Sequence, residues 1–250
     1  MELKNPADYP FPPSEYGFYF RNLRERVGWK ALYKQFRKDY RRPWSRGLLG
    51  RFVGKGTGLE VGVGHQTIAP VTRTILSDGF ENHGGEASLA KAFFKFDAIP
   101  YADASFSFLL SEHTLEHAAN PLKVLLEWKR VLKPGGTLLL FLPHKDRTFD
   151  RDRPRTTLAH LMQDFEKGTL DGDKTHLEEW KRLVLDKGRA PHYENIRLEE
   201  QAILGVVHHH VWVTEDAVEF LKHLGFEVVE SRDQVPDRMD SFAVAAVKKQ

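Results

Sequence analysis

A helix signature that runs straight into a wholly apolar strand constrains this chain more than any other feature. Asn120 is a helix N-cap and Pro121 takes the first turn, where its missing N–H costs nothing. Val124, Leu125, Trp128, Val131 and Leu132 then share one face at helical spacing. Lys133-Pro134-Gly135-Gly136 stops the helix, and Thr137 to Leu142 follows as a continuously apolar run. A strand with no polar face is covered on both sides, as in the centre of a parallel sheet. Parallel strands need crossover connections, so this segment predicts an α/β chain.

The flanking sequence sets the organisation. Residues 1–17 read as an irregular arm, and Phe18 to about Arg42 places aromatic and aliphatic residues among basic ones, as in one or two amphipathic helices. Pro43 and the glycines at 47, 50, 54, 56 and 58 are expected to end that region. The boundaries are therefore an arm and basic helical extension over 1–56 and a main domain over 57–250. Within the main domain, 144–213 has polar helix-forming stretches and many histidines, with no strand signal before Ile203, and reads as an insertion or lid. Thr214 is the expected N-cap of a helix carrying Ala217, Phe220, Leu221 and Leu224. Phe226 to Glu230 and Phe242 to Val247, around Pro236 and Asp237, predict a closing hairpin.

At 250 residues and 41% hydrophobic content the chain can bury one substantial core. It has no cysteine, which excludes disulfides, thiolate zinc sites and cysteine nucleophiles. Four prolines and several charges interrupt the first 18 residues, unlike a signal peptide. The longest apolar stretches are strand-sized, far below the roughly 20 residues of a spanning helix. No membrane span and a cytoplasmic location are the expectations. Net charge is only +2, yet residues 1–56 hold 13 Lys or Arg against 5 Asp or Glu, a surplus of +8 that leaves −6 for the remainder. Such a flank attracts phosphate or nucleic acid, or is simply a solvated helix face.

Gly58-Leu59-Glu60-Val61-Gly62-Val63-Gly64 is a short apolar strand carrying an acid directly into a glycine turn. Glycines there let a backbone approach a ligand at the carboxyl end of a strand, where open α/β sheets bind. A nicotinamide loop would need glycine at position 67, which is Thr67, and a phosphate loop would need Gly-Lys-Ser/Thr, where the chain has Gly54-Lys55-Gly56. An acid two residues before the first glycine suits a ligand with positive charge.

Downstream, Asp97-Ala98-Ile99-Pro100, Asp103-Ala104-Ser105-Phe106, Leu115-Glu116-His117 and Arg130-Val131-Leu132-Lys133-Pro134-Gly135-Gly136 occur in order. Together with the glycine turn, this segment resembles class I S-adenosylmethionine-dependent methyltransferases of the UbiE-like, type 11 group, over roughly residues 57–143. The resemblance implies a Rossmann-like seven-stranded sheet with a C-terminal antiparallel hairpin, here with an N-terminal helical extension and an insertion after the fifth strand. It implies S-adenosylmethionine as cofactor. Gly62 and Gly64 would line the methionine moiety, with Glu60 ordering the loop. Asp78, after an expected strand Thr72 to Leu76, would accept from ribose hydroxyls, with Glu81 as its substitute, Asp97 and Ala98 would meet adenine, and Ser111 and Glu112 would lie at the methionine end. Two departures stand out: Gln66 replaces the family's third glycine, and about 14 residues separate Gly64 from Asp78, so the crossover helix there must be abbreviated.

Three further motifs hold histidines or cations. His113-Thr114-Leu115-Glu116-His117 also spells the H-x-x-E-H pattern of inverted zinc peptidases, but its flanks are those of a methyltransferase and a third ligand is not identifiable. Pro143 to Thr156 carries Lys145, Arg147, Arg151, Arg153 and Arg155 among three aspartates, able to hold an anionic acceptor or to pair internally. In Val206 to Thr214, His208 and His210 would share one strand face and His209 the other, a pair without the further ligands a metal site needs. No metal is assigned. The reading is methyl transfer, O-methylation of a small-molecule or sugar-type acceptor, with His144 or His113 as base and one of His208 to His210 next. A methyltransferase-like binding protein without catalysis is the alternative, and an RNA or protein methyltransferase or a zinc hydrolase ranks below. Aromatic residues such as Tyr16, Phe18, Tyr19, Phe20, Trp29 and Tyr33 fit either a lid or a homodimer surface.

Overall fold

A computed structural model describes residues 2–35, 42–83 and 86–250, with side chains outside 26–41 and 83–86. Helices α1 (Glu15–Gln35) and α2 (Pro43–Phe52) come first. Strands β1 (Gly58–Val61), β2 (Thr74–Asp78), β3 (Asn82–His83), β4 (Glu86–Ala87), β5 (Ala92–Phe93) and β6 (Phe106–Glu112) follow. Then come α3 (Pro121–Val131), β7 (Leu132–Pro143), α4 (Leu158–Lys167), α5 (Lys174–Trp180), α6 (Leu198–Ile203), α7 (Thr214–His223), β8 (Phe226–Arg232) and β9 (Ser241–Lys248).

Seven strands form one sheet in the order β5-β2-β1-β6-β7-β9-β8, and β3 and β4 make a separate antiparallel ribbon. β1 pairs in parallel with β2, Gly58 opposite Thr74, and with β6, Gly58 opposite Phe108. This is the Rossmann-like α/β sheet with a closing hairpin that the sequence predicts. Asn120 caps α3 as expected, its Oδ1 accepting from the Lys123 N–H at 3.1 Å. At α7 the cap differs: Asp216 accepts from the Val213 N–H at 2.9 Å, while the Thr214 hydroxyl donates to Asp233 instead. Among the described residues no helix is long and apolar enough to cross a membrane.

Contacts divide the chain into two compact units, Met1–Glu112 with Glu127–Leu139 and Val247–Gln250, and His113–Leu126 with Leu140–Ala246. The first unit corrects three expectations. Residues 65–73 hold no helix at all, rather than an abbreviated one, and β2 is Thr74–Asp78 rather than Thr72 to Leu76. The N-terminal half of α1 supplies the missing cover: Tyr19 and Leu23 are buried with Val63, Val71, Leu76, Leu89 and Ala90. Gly47 and Gly50 do not end the helical region but lie inside α2, exposed, while Ser45, Leu48 and Leu49 at i, i+3 and i+4 are buried. Burial of that stripe outweighs the cost of about 1 kcal/mol per helical glycine. The amphipathic reading of the rest of α1, with Trp29 and Tyr33, lies outside the described side chains.

In the second unit, 144–213 forms α4, α5 and α6, with a core of its own in Leu177, Trp180, Val184, Ala190 and Val207. Residues 206–213 form no strand, Trp212 making an isolated bridge to His144, and Thr214 already belongs to α7.

Candidate cofactor site

β1 ends in a turn that only glycine makes cheaply: Gly62 and Gly64 have φ of 75° and 51°. The N–H groups of Gly62 and Val63 donate to the Ser77 carbonyl at 2.9 and 3.1 Å, tying the turn to β2. The Gly64 N–H donates to Asp78 Oδ2 at 2.9 Å, the Ser88 hydroxyl donates to the same oxygen at 3.1 Å, and the Phe80 N–H donates to Oδ1 at 3.1 Å. Asp78 therefore gathers the loops that follow β1 and β2 as well as standing at a strand end. A Cβ built on Gly64 would meet no atom within 4 Å, so the turn faces open space.

Glu60 lies in β1 beneath this turn and is 1% exposed. Thr67 donates its hydroxyl to Glu60 Oε2, and the Ala69 N–H donates to Thr67 Oγ1 at 2.9 Å. Burial pushes the Glu60 carboxyl up to about 8, partly offset by the Thr67 hydrogen bond and by Arg46 and Arg42. The Tyr19 hydroxyl donates to the Ala69 carbonyl at 3.1 Å, and Arg46 stands over the Tyr19 ring. Arg42 donates to Gln66 Oε1 and, at 3.4 Å, to Glu112 Oε2. The departure from the family's glycine at Gln66 is thus occupied by a contact from the N-terminal extension.

Ser111 is buried at the end of β6 and donates to the Val61 carbonyl at 3.2 Å. Glu60, Gly62, Gly64, Asp78, Ser111 and Glu112 are thereby brought to the carboxyl ends of β1, β2 and β6. Asp97 and Ala98 occupy a separate turn after β5, with Asp97 half-buried and Ala98 exposed. That turn is pinned from α3: the Trp128 indole N–H donates to the Phe96 carbonyl at 2.9 Å, and Glu127 accepts from the Ile99 N–H at 2.7 Å.

The two expected bases differ in their hydrogen bonding. His113 has a left-handed backbone, φ 46°, and its Nε2 lies 2.6 Å from Ser241 Oγ. Ser241 donates its one hydroxyl proton to Asp240 Oδ1 at 2.8 Å, so His113 Nε2 carries the proton of that pair and Nδ1 the lone pair. In His144 the arrangement is reversed. Its Nδ1 accepts from the Asp146 N–H at 3.2 Å, and its Nε2 faces Asp233 Oδ1 at 3.4 Å. The imidazole lone pair is spent on a cap, and burial lowers its pKa.

Residues 53–140 match the family described as a methyltransferase domain. The likeness is to a methyltransferase domain and spans about a third of the chain. The methyltransferase domain has relatives at modest identity. An uncharacterized protein of Methanocaldococcus jannaschii is 35% identical over 106 residues, 39% of this chain and 50% of that protein. A sterol 4-C-methyltransferase of Caenorhabditis elegans is 28% identical over 136 residues, 54% of this chain and 39% of the enzyme. The chain spans about half the length, or less, of these curated relatives. Two solved structures share the fold at 14% identity. One is an S-adenosylmethionine-dependent methyltransferase from Mesorhizobium loti, with TM-score 0.50 over 81% of this chain and 95% of that one. The other is a Haloferax volcanii protein described as a methyltransferase in complex with its activator, with TM-score 0.51 over 92% and 97%.

Beyond the methyltransferase domain's turn, two sequence motifs resolve differently from their sharper readings. Leu115–His117 is a single 3-10 turn rather than α-helix, and His117 Nδ1 lies 3.0 Å from the Val207 carbonyl, so His113 and His117 are not a helical ligand pair. Four of the cationic loop's five cations are paired, two with aspartates of the loop and two with acids beyond it. Lys145 donates to Asp146, Arg147 to Asp233, and Arg155 to Asp216. Arg153, 2% exposed, donates to Asp150, Glu179 and the carbonyls of His208 and His209. These acids take up the charge of four of the loop's five cations. Sequence reasoning did not single out Arg46 or Ser88, and it named Tyr19, Arg42 and Thr67 only as a lid or dimer aromatic, a helix end and a departure from a nicotinamide loop. Local pattern carries no sign of contacts such as Tyr19 with Ala69, 50 residues apart.

Proposed function

We propose that this chain is an S-adenosylmethionine-dependent methyltransferase that methylates a hydroxyl of a small-molecule or sugar-type acceptor. The observation that carries the reading is the glycine turn of the matched domain, open in front of Gly64, with Asp78 and Glu112 at the neighbouring strand ends and the buried, protonated Glu60 beneath it. That donor set fits a ligand with a cationic ammonium and sulfonium beside a ribose diol. Gly62 and Gly64 would line the methionine moiety, Ser111 and Glu112 would stand at its charged end, a ribose hydroxyl would share Asp78, and Asp97 and Ala98 would meet adenine.

S-adenosylmethionine supplies an electrophilic methyl group when bound. The protein's part is to align and desolvate the reactants, worth several kcal/mol, and to take the hydroxyl proton. His113 suits the second task better than His144. It follows Glu112 directly in the chain and is oriented by Ser241, which Asp240 holds in turn.

Calorimetric titration of S-adenosylmethionine and S-adenosylhomocysteine tests the donor half. Wild type should bind both, and Gly62→Arg and Asp97→Ala should weaken or abolish binding; no binding at millimolar ligand sinks the enzyme reading. With turnover established on hydroxyl acceptors, His113→Gln should lower kcat, with little change in KM, far more than His144→Gln. Donor binding without turnover on any acceptor pool would favour a non-catalytic binding protein.

A further inference from the structure

A second cluster of side chains lies wholly within 144–213 and is used by nothing described so far. His160 and Asp164 stand one turn apart on α4, His176 is on α5, and His210 lies in the extended segment before α7. Asp164, His176 and His210 are buried, and His160 is half-exposed, leaving a way in from solvent. Three imidazole nitrogens converge on one carboxylate oxygen: Asp164 Oδ2 lies 3.2 Å from His160 Nε2, 3.5 Å from His176 Nε2 and 3.7 Å from His210 Nε2. His160 Nε2 and His176 Nε2 are 3.1 Å apart, and all four donor atoms lie within 4.8 Å of one another.

These spacings decide the interpretation. A tetrahedral ion with bonds of 2.0–2.1 Å holds its ligands about 3.3 Å from one another. Four of the six separations, 3.1 to 3.7 Å, bracket that edge, and the other two lie within 4.8 Å. Asp164 Oδ2 is buried and accepts no hydrogen bond, a costly state for a carboxylate oxygen unless something positive occupies its front. Its sister oxygen Oδ1 is fixed by the Thr169 hydroxyl at 2.8 Å, which orients Oδ2 toward the cluster. His176 Nδ1 is buried without a hydrogen-bond partner, the nearest carboxylate oxygen, Asp173 Oδ1, standing 3.9 Å away. His210 Nε2 also lies 3.3 Å from the Ala119 carbonyl, so ligation requires it to exchange that hydrogen bond for the ion. Glu116, His117 and His208 form another group, but it offers three donors rather than four, and His208 Nδ1 is held by Asp150 at 2.6 Å.

We propose that His160, Asp164, His176 and His210 bind one divalent transition-metal ion, zinc foremost, in a closed four-ligand site that clamps α4 and α5 to the segment around His210. Three imidazoles and a carboxylate are borderline donors that suit zinc, and four protein ligands with no open position mark a structural ion rather than a catalytic one. The site stands apart from the methyl-donor reading, and its test needs no methyl acceptor.

The full chain, with any affinity tag removed and stripped with dipicolinate, would be titrated with zinc against a chromophoric chelator, and with cobalt as a spectroscopic probe. The expected result is one ion per chain, the intense visible absorption of four-coordinate cobalt, and a Tm raised by roughly 5 °C or more at saturation. His160→Gln, at the exposed ligand where folding tolerates change, should weaken zinc on the order of 100-fold. Asp164→Asn should do the same, while Glu116→Gln should leave the ion in place. Failure of stripped wild type to bind zinc overturns the proposal. So does binding that survives both ligand substitutions, or binding lost in Glu116→Gln alone.

Discussion

Replacing Glu60 by Gln should remove a pH-dependent load on the fold. The carboxyl rises from 4.5 to about 8 because it is buried, so the folded chain holds a proton there that the unfolded chain has released. Between those values the native state binds more protons, and its stability must fall as pH rises; below 4.5 both states are protonated and above about 8 both are ionised. At about 1.4 kcal/mol per unit, the loss between pH 4.5 and pH 7 is about 3 kcal/mol. Glutamine keeps an acceptor for the Thr67 hydroxyl but has no charge to desolvate. Urea denaturation of both proteins at several pH values from about 5 to about 8, followed by the fluorescence of the buried Trp128, Trp180 and Trp212, reads the difference. Groups such as Glu116, pushed up to about 7, titrate in both proteins and cancel in the subtraction. The variant should gain on wild type steadily as pH rises. Parallel stability curves would refute the reasoning and mean that Glu60 is ionised in the fold.

Three other outcomes are expected. Gly58→Ala should cost about 3 kcal/mol or more in thermal or urea unfolding, because its Cβ would fall 2.1 Å from the Phe108 ring across the β1–β6 pair. Arg153→Met should cost about 3 kcal/mol by the same measurement, since Asp150 and the carbonyls of His208 and His209 lose their buried donor. At Gly64, alanine should cost only about 1 kcal/mol for its left-handed backbone. Arginine there should fill the open space and abolish S-adenosylhomocysteine binding by calorimetry, with the fold retained by circular dichroism.

What the sequence alone determined is what neighbouring residues settle among themselves. Asn120 and Pro121 start α3, its apolar face and the run Thr137 to Leu142 place a helix against a central strand, and Gly62 and Gly64 mark the turn after β1. Capping, helical spacing and positive φ act within a few residues, so these elements were legible, and with them the sheet and the cofactor family. Tertiary structure decided whatever depends on distant partners. Tyr19 and Leu23 of α1 cover the place where a crossover helix was expected, and packing of Leu48 and Leu49 keeps two glycines inside α2. Four of the five cations of 145–155 pair with acids, one as far along the chain as Asp233, and His113 meets Ser241, 128 residues on. His160, Asp164, His176 and His210 span 50 residues in four places, each unremarkable in its own stretch of sequence. Only the packing of three separate segments, driven by burial that no local pattern encodes, points their donor atoms at one centre.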